Sequence, residues 1–163
     1  MKMKILSLFA LSCFLFSAVA CGGSGNSKSS QANAYFVVFK ELYKTDSALN
    51  GDKYLAVDLS KTKLKNKKAL IELFQTFCDN NSLILLEDTY DGLVEEGYIS
   101  TEPLSVFKDG CLVSFSDISL TGKKLETDAG KWCSGIGALY LRYTAELKNS
   151  VWTVTNNKLL GIS

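Results

Sequence analysis

The spacing of apolar residues changes part-way along this chain. Between residues 35 and 97 it follows mainly the 3.6-residue period of a helix, and from Leu104 onward the two-residue period of a strand. Phe36, Phe39, Leu42, Tyr43 and Leu49 predict a first helix over residues 35–49, with Gly51 as its stop. Residues 53–59, KYLAVDL, alternate and predict a strand. Asn66 is placed to cap a second helix that runs to about residue 80 and carries Leu70, Ile71, Phe74, Phe77 and Cys78 on one stripe, with Leu73 beside it. Residues 82–86 are apolar after Ser82 and predict a short strand in the middle of a sheet. Asp88 or Thr89 then caps a third, short helix closed by Gly97.

In the second half, Asp109-Gly110 marks a turn between residues 104–107 and 111–120. Gly122 and Asp128-Ala129-Gly130 punctuate the stretch that follows. Residues 136–147 form the clearest strand: Leu139, Leu141, Tyr143, Ala145 and Leu147 take one face, and Tyr140, Arg142, Thr144 and Glu146 the other. Lys148-Asn149-Ser150 turns into 151–155, and Asn156-Asn157 turns again into 159–162, where Leu159, Leu160 and Ile162 are expected to seal the core. This order predicts a single α+β domain, a mixed and mostly antiparallel sheet with about three helices on one face. The closing hairpin also resembles those of NTF2-like and cystatin-like α+β cones, which the strand at 53–59 fits less well.

Upstream lies a segment of a different kind. Lys2 and Lys4 precede an apolar run over residues 5–20, and Ala18-Val19-Ala20-Cys21 closes it. This resembles a bacterial lipoprotein signal peptide with its lipobox, although Ala18 stands where Leu is more common. The resemblance implies cleavage after residue 20, a diacylglycerol-modified and acylated Cys21, and a protein held by lipid on the extracytoplasmic face of the bacterial cell membrane. Residues 22–33, GGSGNSKSSQAN, lack aliphatic and aromatic side chains and read as the flexible tether, leaving residues 34–163 as the domain.

Charge narrows the partners. Removing Lys2 and Lys4 with the leader leaves 16 basic against 17 acidic residues, so no basic excess points to nucleic acid. The charges are nonetheless segregated: Lys61, Lys63, Lys65, Lys67 and Lys68 fall together, as do Glu87, Asp88, Asp91, Glu95 and Glu96. The plain reading is two solvated faces; the sharper one lays the lysines on anionic lipid.

The chain has no histidine, which removes Ser–His–Asp and Cys–His catalysis and the usual zinc ligands. Of five cysteines, Cys13 leaves with the leader and Cys21 takes lipid; Cys111 and Cys133 are the best-placed pair for a disulfide, and three free thiols, Cys78 included, are the alternative. Asp58, Glu87 and Asp88 meet at one sheet edge if the strands at 53–59 and 82–86 are parallel neighbours. There they could hold a divalent cation or work as an acid–base pair, against the simpler roles of turn and helix caps. Trp132, Tyr140, Arg142 and Trp152 could line a binding face on the helix-free side of the sheet, against ordinary cross-strand packing. Gly135 and Gly137 suit a bulge or close approach better than a phosphate loop.

Trp132-Cys133-Ser134-Gly135-Ile136-Gly137-Ala138, Tyr143-Thr144-Ala145, Trp152 and the terminal Gly161-Ile162-Ser163, with residues 54–59 and 86–88, together resemble a family of small exported proteins and lipoproteins of Firmicutes. That resemblance implies the compartment and one domain and carries no activity; it also implies Arg as the commoner residue at position 133, so a disulfide there would be particular to this chain. Three functions follow as expectations. The first is a lipid-anchored binding or interaction module whose partners are the membrane and another envelope protein. The second is an enzyme using Asp58, Glu87 or Asp88, with or without a divalent cation. The third is a structural envelope lipoprotein with no small ligand.

Overall fold

The structure, a computed structural model, describes residues 30–163. Cys21, the leader and most of the tether lie outside the described residues. Among the described residues eight strands form one mixed, open sheet with three helices. Helix α1 spans Gln31–Lys44, beginning three residues inside the stretch read as tether, and a 3-10 turn at Ser47–Leu49 takes the end of the predicted helix. Strand β1 is Tyr54–Lys61, α2 Lys67–Asn81, β2 Ile84–Leu86 and α3 Tyr90–Glu95. After them come β3 Ile99–Ser100, β4 Val106–Phe107, β5 Gly110–Leu120, β6 Lys124–Ser134, β7 Gly137–Lys148 and β8 Val151–Ile162.

The strands lie in the order β2-β1-β5-β6-β7-β8, with β3 and β4 continuing beside the last residues of β6. Strands β2, β1 and β5 are parallel, and the rest pair antiparallel. The predicted α+β class holds. Strand β2 is an edge strand rather than a central one: its run is apolar, but Ile84 is 49% exposed.

Alternation divides the sheet into two faces. Leu55, Val57, Cys111, Val113, Leu139, Leu141 and Tyr143 point to one side, where α1 and α2 cover them. Phe39 sits at the centre of that layer, its ring 4.9 Å from Phe74 and 4.8 Å from Phe77, both edge-on. Such packing fixes the angle of α1 on α2 beyond what area burial alone does. Helix α3 does not join them. Its Leu93 packs with Ala56, Leu112, Ile99 and Phe107 in a second cluster on the opposite face, so two helices cover one face and the third covers one end of the other.

Strand β6 runs unbroken through Asp128-Ala129-Gly130, where the sequence suggested punctuation. Gly130 gives the ring of Tyr140, its partner on β7, room to lie across the strand: a Cβ there would come 2.6 Å from the ring and push it aside. Strand β8 is likewise one strand, not two joined by a turn. Leu160 and Thr155 are left out of the β7–β8 pairing, so each is a bulge. Each bulge reverses the side-chain alternation, which is what resembled a turn at Asn156-Asn157. Leu159, Leu160 and Ile162, expected to seal the core, are 52%, 45% and 67% exposed on this edge strand.

Candidate functional site

The uncovered face of the sheet carries the site. Strand β5 presents Leu112 and Ser114, β6 presents Gly130 and Trp132, and β7 presents Tyr140, each one residue out of phase with the buried set. The groove they floor has a volume of about 450 Å³, and Asp58, Tyr90 and Ser105 complete its walls. Tyr90 braces one end: its ring meets Trp132 edge-on at 5.2 Å, and its hydroxyl donates to Ser105 Oγ at 3.0 Å. The ring of Tyr140 lies over Gly130, and a Cβ at that glycine would come within 3.2 Å of Ser114 Oγ, so tyrosine ring and serine hydroxyl share the glycine's space. The result is two aromatic surfaces, several hydroxyls and one carboxylate around a cavity of ligand size.

Of the four residues expected on this face, Trp132 and Tyr140 line the groove. Arg142 shares their face one alternation further along β7 and is held outside the groove by a two-point ion pair with Asp128, at 2.7 and 3.0 Å. Trp152 is a correction: it belongs to the helix-covered core and is 3% exposed. Asn149 and Ser150 both take positive φ in a two-residue turn that pairs Lys148 with Val151 and Leu147 with Trp152, so Trp152 shares the face of Leu147.

Asp58, Glu87 and Asp88 do come together. Strands β1 and β2 are parallel neighbours, and the three acids line one cleft of about 180 Å³ with Ser60, Lys67 and Thr89. Two of the carboxylates are engaged locally: Asp58 Oδ1 accepts from Ser60 N–H at 2.8 Å, and Asp88 Oδ1 from Thr89 N–H at 2.7 Å. Thr89 rather than Asp88 caps α3, through Gly92 N–H. Among the described residues no group of three carboxylate or thiol side chains is placed to hold a metal ion. Asp58 lines both this cleft and the sheet-face groove, so the two adjoin.

Cys111 and Cys133 are free thiols here, and Cys133 Sγ lies 3.5 Å from the Gly137 carbonyl oxygen. Burial pushes the Cys111 thiol up to about 12 and the Cys78 thiol up to about 11. Beside Cys111 lies a residue that sequence reasoning missed. Lys131 is fully buried, and its Nζ donates to the Thr45 and Asp46 carbonyls at 2.6 and 2.8 Å and to Asn50 Oδ1 at 2.9 Å. It ties the end of α1 and the following turn to β6. Burial draws its pKa below the ordinary lysine value, and the neighbouring Cys111 and Asp46 act against that. The signal for it was parity: Lys131 lies in phase with Leu125 and Ala129 on β6.

No family model, curated protein or solved structure matches this chain. Among the described residues no helix is long and apolar enough to cross a membrane.

Proposed function

We propose that this chain is a lipid-anchored extracytoplasmic binding module, tethered through Cys21, whose groove on the uncovered sheet face takes a small polyhydroxylated ring such as a sugar unit. The groove between Trp132 and Tyr140 carries this reading. A sugar ring offers C–H groups on one face and hydroxyls around its rim. The first suit aromatic faces, and the second suit Ser114, Ser105 and the Asp58 carboxylate, which can accept from two hydroxyls at once. The braced Tyr90–Trp132 pair supports binding because a wall ordered beforehand loses little freedom when a ligand arrives. In the adjoining cleft Asp58 Oδ1 and Asp88 Oδ1 each accept one backbone N–H, which fixes the Asp58 side chain with its second oxygen toward a ligand hydroxyl.

Titration calorimetry against a panel of mono- and oligosaccharides tests the ligand. Binding should weaken about tenfold or more in Trp132→Ala and Tyr140→Ala, from the loss of roughly 1–2 kcal/mol of ring contact, and should persist in Trp152→Phe. Heat signals that stay flat across the panel would end the sugar assignment. The anchor is tested separately by metabolic labelling with a fatty acid: label on the wild type and none on Cys21→Ala is the outcome required.

A further inference from the structure

The five lysines that cluster in sequence do not stay by themselves in the fold. Strand β1 ends at Lys61, level with Ser116 on β5, and the loop after it is fastened there: Lys63 N–H donates to Asp117 Oδ2 at 2.7 Å and Lys63 Nζ to the Ile118 carbonyl at 2.8 Å. Lys65 follows, and Lys67 and Lys68 open α2 at the same end. Two further turns arrive from other parts of the chain. The β5–β6 turn brings Lys123 and Lys124, and the β7–β8 turn brings Lys148, joined to it by Leu147 N–H donating to the Lys123 carbonyl at 2.9 Å. Among the described residues Glu126 and Glu146 form ion pairs with this set, through Lys124 and Lys148, and Lys67 lines the cleft of Asp58, Glu87 and Asp88.

The described chain also begins here. Gln31 Nε2 donates to the Thr121 carbonyl at 3.0 Å, and Tyr35 donates to Asp117, so α1 starts beside the same turns. At the far end of the sheet acids outnumber lysines. Asp52 and Asp109 lie by the first residue of β5, each beside a lysine, Lys53 and Lys108, while Asp91 and Glu95 lie on α3 and Glu96 caps its end near the same strands. Three separate loops thus concentrate lysines at the end where the tether enters, and acids are in excess at the other.

We infer that the lysine end is a docking face for an anionic lipid surface, and that it stands the domain upright on the membrane with the acidic end outward. This rests on the anchored reading above. The warrant is charge complementarity in the one place where the tether forces proximity. Each lysine close to an anionic bilayer adds attraction that fades within a screening length, and acids at the opposite end disfavour the inverted pose.

The two tryptophans report the pose. Trp152 pairs with Leu147 near the lysine turns, whereas Trp132 lies eight residues up β6 from Lys124, roughly 27 Å at about 3.4 Å per residue. The protein as the cell makes it is added to vesicles of phosphatidylglycerol and phosphatidylcholine that contain a dansyl-headgroup lipid, and energy transfer from tryptophan is read. In Trp132→Phe, where Trp152 is the donor, transfer should exceed that in Trp152→Phe by at least about twofold. That excess should vanish on phosphatidylcholine alone and at about 1 M salt, where screening shortens to roughly 3 Å. It should also vanish on Trp132→Phe carrying Lys61, Lys65, Lys68 and Lys123 all replaced by Gln, changes confined to exposed side chains. Equal transfer from the two tryptophans would overturn the inference, as would an excess indifferent to lipid charge. The mass of the purified chain scores the anchor independently, so the two readings fail separately.

Discussion

The two faces of the sheet are made by the same strands and are built to different ends. On β6, Leu125, Thr127, Ala129 and Lys131 face the helices and are buried, while Lys124, Glu126, Asp128, Gly130 and Trp132 face the open side. The covered face is closed by ring packing and by one buried ammonium with every donor spoken for. Among the described residues α3 is the one helix on the open face, whose largest groups are an exposed tyrosine, a half-buried tryptophan and a surface ion pair. Stability therefore resides on one side and the groove proposed for recognition lies on the other, so substitutions on the two sides should separate cleanly.

Phe39→Ala should cost the most, about 3–5 kcal/mol in urea denaturation, because it empties the centre of the α1–α2 layer. Lys131→Met should cost about 2–4 kcal/mol. It keeps the bulk but leaves the Thr45 and Asp46 carbonyls and Asn50 Oδ1 without their donor. A loss below about 0.5 kcal/mol would show that water replaces the ammonium and that the covered face is less closed than described.

The covered face should also set an alkaline limit. Burial and Asp117 hold the Tyr35 hydroxyl above its usual 10.0, and burial holds Cys111 at about 12 against a usual 9.0. The unfolded chain sheds these protons from about pH 9 upward while the folded chain keeps them. Unfolding then releases protons, so stability falls as pH rises through that window, by up to about 1.4 kcal/mol per pH unit for each group. Denaturation at several alkaline pH values should show a shallower fall in Tyr35→Phe.

On the other side the expected effects are small. Thr89→Ala removes the cap of α3 and should cost about 1 kcal/mol. Tyr140→Ala should stay within about 0.5 kcal/mol of the parent while losing ligand binding. A large destabilisation by Tyr140→Ala would break the comparison, because it would make the open face part of the core.

How much of this was legible in the sequence depended on whether local spacing decided the outcome. Strand β7 alternates without interruption, and both of its faces were read correctly. The meeting of Asp58 with Glu87 and Asp88 was legible too, since a strand–helix–strand unit with parallel neighbours brings both strand ends to one edge. Strand β6 was obscured because Lys131 and Thr127 occupy inward positions where apolar residues are expected, and Gly130 looks like a turn until Tyr140 is laid over it. The face of α3 depends on contacts with Ala56 and Leu112, which no local pattern encodes. Trp132 and Tyr140 were found from residue type and parity. Tyr90 and Ser105 reach the groove from a helix and a loop, and only the fold brings them there.

The two bulges of β8 have a consequence for how this molecule keeps company with its own kind. A border of twelve residues with one charge, ending in Leu159, Leu160 and Ile162, is the sort of margin along which sheets fuse into continuous ribbons. Thr155 and Leu160 each insert a surplus residue, so the margin coils and its outward amide groups fall out of line with any straight strand brought against it. Crowded side by side, the molecules keep sticky borders that do not mesh.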